Sequence, residues 1–119
     1  MSDVQVVEAL VARGRAAMAE IADADQARID DAVTAIAWSL YNPDTARRLA
    51  EQAVADTGLG NVEDKIIKNQ RKTFGALRDL LRVRTVGVIE DDPERGLVKI
   101  AKPVGVVGAI TPSTNPSAT

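Results

Sequence analysis

"PVGVVGAITPSTNP", Pro103 to Pro116, decides the fold. Its first part, Val104 to Ile110, is continuously apolar. That is the pattern of a strand buried on both faces of a parallel sheet. Its second part is a polar bend in which Pro112 and Pro116 bracket Ser113, Thr114 and Asn115. A buried parallel strand needs neighbours on both edges and helices on both faces, and nothing else in the chain supplies them. The expectation is an α/β domain that this chain enters and does not complete. Open α/β sheets bind ligands at the carboxyl edge of their strands, where this bend falls. Thr111, Ser113 and Thr114 offer hydroxyls there, and Asn115 an amide. The prolines stiffen the bend and remove backbone donors. Gly105 and Gly108 leave room for another backbone or a ligand. An amide N–H₂ held rigidly at such an edge can steady a developing oxyanion. The competing reading is a structural turn after a strand.

The first two-thirds of the chain reads as helix. Val4, Val7, Val11, Met18 and Ile21 recur at steps that put them on one face. "DADQ", Asp23 to Gln26, interrupts the pattern and supplies Asp25 as an N-cap. Ile29, Val33, Ile36 and Leu40 form the stripe of a second helix. "YNPDT" sets the next start: Asn42 caps, and Pro43 suits a first turn where its missing N–H is not needed. The third helix presents Ala46, Leu49, Ala50, Ala53 and Val54 and closes at Gly58, which can turn left-handed. Asn61 caps a fourth helix over about 62–81, with Glu63 and Asp64 in its first turn. Ile66, Ile67, Phe74, Leu77 and Leu81 are expected on its inner side. "RTVGVIE", "DDPERG" and "LVKIAK" then read as strand, turn and strand, a β-hairpin.

Composition removes several functions. There is no cysteine and no histidine, so no thiol nucleophile, disulfide or imidazole ligand is available. A net charge of −2 opposes phosphate-backbone binding, and Trp38, Tyr41 and Phe74 are too few for a base-stacking surface. No nucleic-acid partner is expected. "MSDVQVVEAL" has no basic n-region, and no apolar run approaches the ~20 residues of a membrane span. The expected compartment is the cytoplasm.

Three further motifs have structural readings. "TGLGNVED" has Gly58 and Gly60, but Glu63 stands where a dinucleotide fingerprint needs its third glycine, and the motif follows a helix. It reads as linker and cap. "EDDPE", Glu90 to Glu94, carries four carboxylates without the alternating spacing of a calcium loop, so no metal site is expected. "KIIKNQRK", Lys65 to Lys72, is a basic helix face whose Lys68, Arg71 and Lys72 suit phosphates. With Glu63 and Asp64 one turn earlier for pairing, it reads as a solvated or subunit-contact face.

"KIAKPVGVVGAITPSTNPSAT" resembles the start of the cofactor domain in CoA-acylating aldehyde dehydrogenases. "DTGLGNVEDKIIKN" is similar to that branch's signature Thr/Ser-Gly-x-Gly-x-x-Glu-Asp-Lys-x-x-Lys-Asn, and "VGVIEDD" to its hairpin. The likeness runs from about Glu51 to the end, and "RKTFGALRDL" is similar to the sulfoacetaldehyde-type members. It implies NAD or NADP as cofactor, coenzyme A as co-substrate, a small aldehyde as substrate and a homo-oligomer. It implies that Ile110, Thr111, Pro112, Ser113, Thr114 and Asn115 line the nicotinamide side of the cofactor. It further implies that Asn115 donates to the oxyanion formed when a cysteine thiolate attacks the aldehyde. Hydrolysing relatives place their asparagine in the middle of the bracket and here it is fourth, so Thr114 or a backbone N–H is the alternative donor.

The expected architecture is α/β: amino-terminal helices, a β-hairpin and the first strand of a Rossmann-like cofactor domain, truncated. The expected divisions are a helical segment over 1–82, a hairpin arm of the oligomerisation type over 83–103, and the start of the NAD(P)-binding domain over 104–119. With the nucleophilic cysteine absent, the 119 residues alone are expected to be inactive. The alternative function is a non-catalytic assembly module derived from the same family.

Overall fold

A computed structural model describes residues 2–117 and 119. Four helices lead into one hairpin: α1 (Asp3–Glu20), α2 (Gln26–Tyr41), α3 (Pro43–Thr57), α4 (Val62–Leu80), β1 (Gly87–Asp92) and β2 (Leu97–Ala101). Contacts divide the chain into two units, Met1–Ile29 with Arg84–Ala109, and Asp30–Val83 with Ile110–Thr119.

The helix ends follow from their capping chemistry. Asp25 Oδ1 accepts from the Arg28 N–H at 2.9 Å, and Asn42 Oδ1 from the Thr45 N–H at 3.0 Å. Ser2 and Gln5 add a capping box at α1. Gly58 closes α3 at φ 65°, a left-handed conformation that costs glycine nothing. Asn61 caps α4 twice over: its Oδ1 accepts from the Asp64 N–H at 2.9 Å, and its Nδ2 donates to Asp64 Oδ2 at 2.6 Å. Removing such a cap costs about 1 kcal/mol, roughly a fivefold change in an opening equilibrium. Asn61→Ala is therefore expected to speed amide hydrogen exchange in the first turn of α4 about fivefold. Unchanged exchange there would show that the cap does not hold the helix end.

In the second unit α3 packs on α4. Ala46 and Ala50 are fully buried, as the sequence pattern predicts for α3. The inner face of α4 is different from the expected one. Its buried residues are Lys65, Asn69 and Thr73, at successive four-residue steps on one face. Ile67, Phe74 and Leu81 are exposed instead. The alanines of α3 project nothing beyond Cβ, so the facing side of α4 takes long or polar side chains along its stripe. Lys65 runs its stem beside Gly60, where an added Cβ would stand 3.6 Å from Lys65 Cε.

In the first unit β1 and β2 pair antiparallel, with a bulge between Val88 and Glu90 and Gly96 at φ 64° in the turn. Gln26 Oε1 accepts from the Thr85 N–H at 2.8 Å and tethers the approach to the hairpin to the start of α2. Val7, Leu10, Val11 and Met18 of α1 face residues 105–109 across an apolar groove, yet α1 has no buried residue.

One expectation is corrected. Val104 to Ile110 forms no strand; residues 102–112 have no regular secondary structure. Val104 and Ile110 are 91% and 99% exposed. A strand exists only through its ladder. The two strands among the described residues pair with each other, and neither pairs with this segment.

The accessible surface is 9169 Å². Large apolar side chains are exposed, Trp38, Val107 and Ile110 among them. Among the described residues, no helix is long and apolar enough to cross a membrane.

Candidate functional site

The second unit brings the two signature stretches together. Leu59, Gly60, Asn61, Asp64, Lys65 and Lys68 line a cleft of about 260 Å³, and Thr114 of the bend closes it. The contact is direct: Lys68 Nζ donates a hydrogen bond to the Thr114 carbonyl oxygen. Residues 46 positions apart are thus tied at one point.

The bend itself is a turn. The Asn115 N–H donates to the Pro112 carbonyl at 3.2 Å. The Asn115 carbonyl accepts from Thr119 Oγ1 at 2.7 Å. Ile110, Thr111, Pro112, Ser113 and Thr114 are exposed, and Asn115 is half-buried. The Asn115 side chain has a buried Oδ1 with no hydrogen-bond partner among the described residues. A buried, unsatisfied acceptor is costly and marks a place where a donor is due. Gly105 and Gly108 have open space around them, in keeping with their expected role of letting something approach closely.

The basic face of α4 differs from its expected pairing. Asp64 and Lys68 stand at the acid-to-base i,i+4 spacing that favours an ion pair. Asp64 is engaged by its own cap, Asn61, and Lys68 turns to Thr114. Glu63 pairs with Arg47 of α3 at 3.4 Å, an exposed contact of small worth. The roles of Lys65 and Lys68 escape a reading by charge alone. The signal that locates them is spacing: Lys65, Asn69 and Thr73 share one stripe, and Lys68 lies one residue off it, at the cleft's edge. Among the described residues no group of three or more acidic side chains is placed to hold a metal ion.

The bend presents both apolar and polar groups. Ile110 offers open apolar surface, the prolines fix the backbone, and Asn115 carries an amide with an unmet hydrogen bond.

No protein-family model matches the chain. The sulfoacetaldehyde dehydrogenase (acylating) of Cupriavidus necator is 63% identical over 115 residues, which are 97% of this chain and 23% of that protein. The bifunctional aldehyde-alcohol dehydrogenase of Escherichia coli is 37% identical over 122 residues, covering 100% of this chain and 13% of that protein. Among solved structures, an acetylating aldehyde dehydrogenase from Geobacillus thermoglucosidasius aligns with a TM-score of 0.89 at 39% identity, over 98% of this chain and 25% of that one. The chain spans at most about a quarter of the length of these proteins. In sequence and in fold it corresponds to the amino-terminal part of CoA-acylating aldehyde dehydrogenases.

Proposed function

We propose that this chain is the amino-terminal segment of an NAD(P)-dependent, CoA-acylating aldehyde dehydrogenase, of the kind that acts on sulfoacetaldehyde. The identity with the Cupriavidus necator enzyme carries this reading. In the whole enzyme, residues 1–82 form the helical segment, 83–103 the hairpin arm and 104–119 the entry to the cofactor domain. The hairpin leaves Val88, Ile89, Leu97, Val98 and Ile100 exposed, which supports its use as an arm between subunits of a homo-oligomer. The exposed Val104–Ile110 segment supports a place in a sheet whose other strands come from the rest of the polypeptide. The cytoplasm is the proposed location.

When bound, NAD(P)⁺ supplies a hydride acceptor and coenzyme A takes the acyl group. This chain's part is to place one wall of the reaction. Ile110 to Asn115 face the nicotinamide, and Asn115 donates its Nδ2–H to the oxyanion that forms when a cysteine from the rest of the enzyme adds to the aldehyde. A neutral amide suits that task because it stabilises an alkoxide without losing a proton. The buried Asn115 Oδ1 supports this assignment. A donor from elsewhere in the enzyme that satisfied Oδ1 would fix the amide with its N–H₂ turned to the reacting oxygen. Thr114 is the alternative donor. It would donate through its hydroxyl, which the Lys68 bond to its carbonyl leaves untouched.

The kinetic test is NAD(P)H formation from sulfoacetaldehyde by the full-length enzyme, with and without coenzyme A. Steady turnover is expected only with coenzyme A. Equal rates in its absence would overturn the acylating assignment.

A further inference from the structure

Resting on the oxyanion reading of Asn115, we infer that Lys68 is its positioning residue: it pins the peptide unit that carries Asn115, and so sets where the amide points. The Thr114–Asn115 peptide unit is held at both ends. Its carbonyl oxygen accepts from Lys68 Nζ, and its N–H donates to the Pro112 carbonyl at 3.2 Å. A peptide unit is planar, so two bonds on opposite sides fix its orientation and with it the Asn115 Cα. Only the second bond is internal to the bend. The first comes from α4 and joins the bend to the packed α3–α4 pair.

The arrangement around Lys68 directs it to this task. Asp64 lies one turn earlier in α4, at the i,i+4 spacing that favours pairing. Asn61 holds that carboxylate by donating to Oδ2 at 2.6 Å. Among the described residues no ion pair joins Asp64 to Lys68, whose ammonium bonds the Thr114 carbonyl instead. A hydrogen bond from a charged donor is stronger than a neutral one, so a single lysine suffices to hold the turn. Precise placement matters because a misplacement of about 1 Å at a reacting centre costs on the order of a hundredfold in rate.

The test uses the full-length enzyme carrying Lys68→Met, Lys68→Arg and Asn115→Ala, singly and in combination. Lys68→Met is expected to lower kcat about tenfold with the KM for coenzyme A unchanged, the size of effect a charge-assisted hydrogen bond supports. Lys68→Arg keeps a charged donor and is expected to restore most of kcat. In the Asn115→Ala background, Lys68→Met is expected to have no further effect, because the group it positions is gone. Hydrogen exchange across residues 112–116 is expected to speed up in Lys68→Met and return towards the parent rate in Lys68→Arg. An equal tenfold loss with and without Asn115 would overturn the inference, as would unchanged exchange at the bend. A raised KM for coenzyme A with kcat intact would also overturn it, assigning Lys68 to an anionic group of that substrate. If Asn115→Ala alone leaves kcat intact, the oxyanion reading fails, and the exchange measurement still decides whether Lys68 holds the bend.

Discussion

Asn115→Ala in the full-length enzyme is expected to lower kcat by about 10²–10³-fold, the loss seen when one oxyanion donor is removed from an acyl-transfer site. The loss falls on kcat because the donor meets charge that exists only after the aldehyde has been attacked. KM for coenzyme A is expected to stay near its parent value. Thr114→Val is the control. It removes a hydroxyl but keeps the carbonyl that Lys68 binds, so the turn is retained and kcat is expected to change little. A large loss in Thr114→Val beside an intact Asn115→Ala would move the donor role to Thr114. Stopped-flow measurement of the first NAD(P)H formed reads the step directly, separate from thioester release.

The isolated 119-residue chain is expected to form no NAD(P)H at all. It has no cysteine to attack an aldehyde. It is also expected to bind a dye that reports exposed apolar surface, and to self-associate as its concentration rises. Trp38, Tyr41 and Phe74 explain part of that behaviour. Their rings form a chain with centroids 6.2 and 6.4 Å apart, and all three are exposed. The same unit buries Thr73 Oγ1 without a hydrogen-bond partner among the described residues. Exposed apolar rings of this kind are stabilised when another surface covers them. Turnover by the isolated chain, or a monomer that binds no dye, would contradict this account.

The local features of the fold were legible because they depend on neighbours in sequence. Asp25, Asn42 and Asn61 cap the helices their positions imply, Gly58 closes α3, and the acidic Pro/Gly stretch turns the hairpin. Features that depend on distant chain were harder to read. Periodicity assigned Ile67 and Phe74 to the inner side of α4, because apolar residues normally face a core. Here α3 meets α4 through alanines, and the face turned inward carries Lys65, Asn69 and Thr73. Ile67 and Phe74 are left exposed. The same logic governs Val104 to Ile110. Its composition is that of a buried strand, but a ladder needs a neighbouring strand and a buried face needs cover. Neither is present among the described residues.

The candidate site divides in the same way. The bend was recognisable from its prolines and its place after an apolar run. The convergence of that bend with the "GNVEDKIIKN" stretch was not, because charge counting sends Lys68 to Asp64. Only the folded arrangement shows Asn61 bonded to Asp64 and Lys68 bonded to the Thr114 carbonyl.

The central claim is that this chain serves an enzyme that hands its acyl group to coenzyme A. The most direct measurement is product analysis by mass spectrometry after the full-length enzyme has consumed sulfoacetaldehyde with NAD(P)⁺ and coenzyme A. The account predicts sulfoacetyl-CoA in amounts equal to the NAD(P)H formed. Free sulfoacetate as the direct product, with coenzyme A unconsumed, would contradict it.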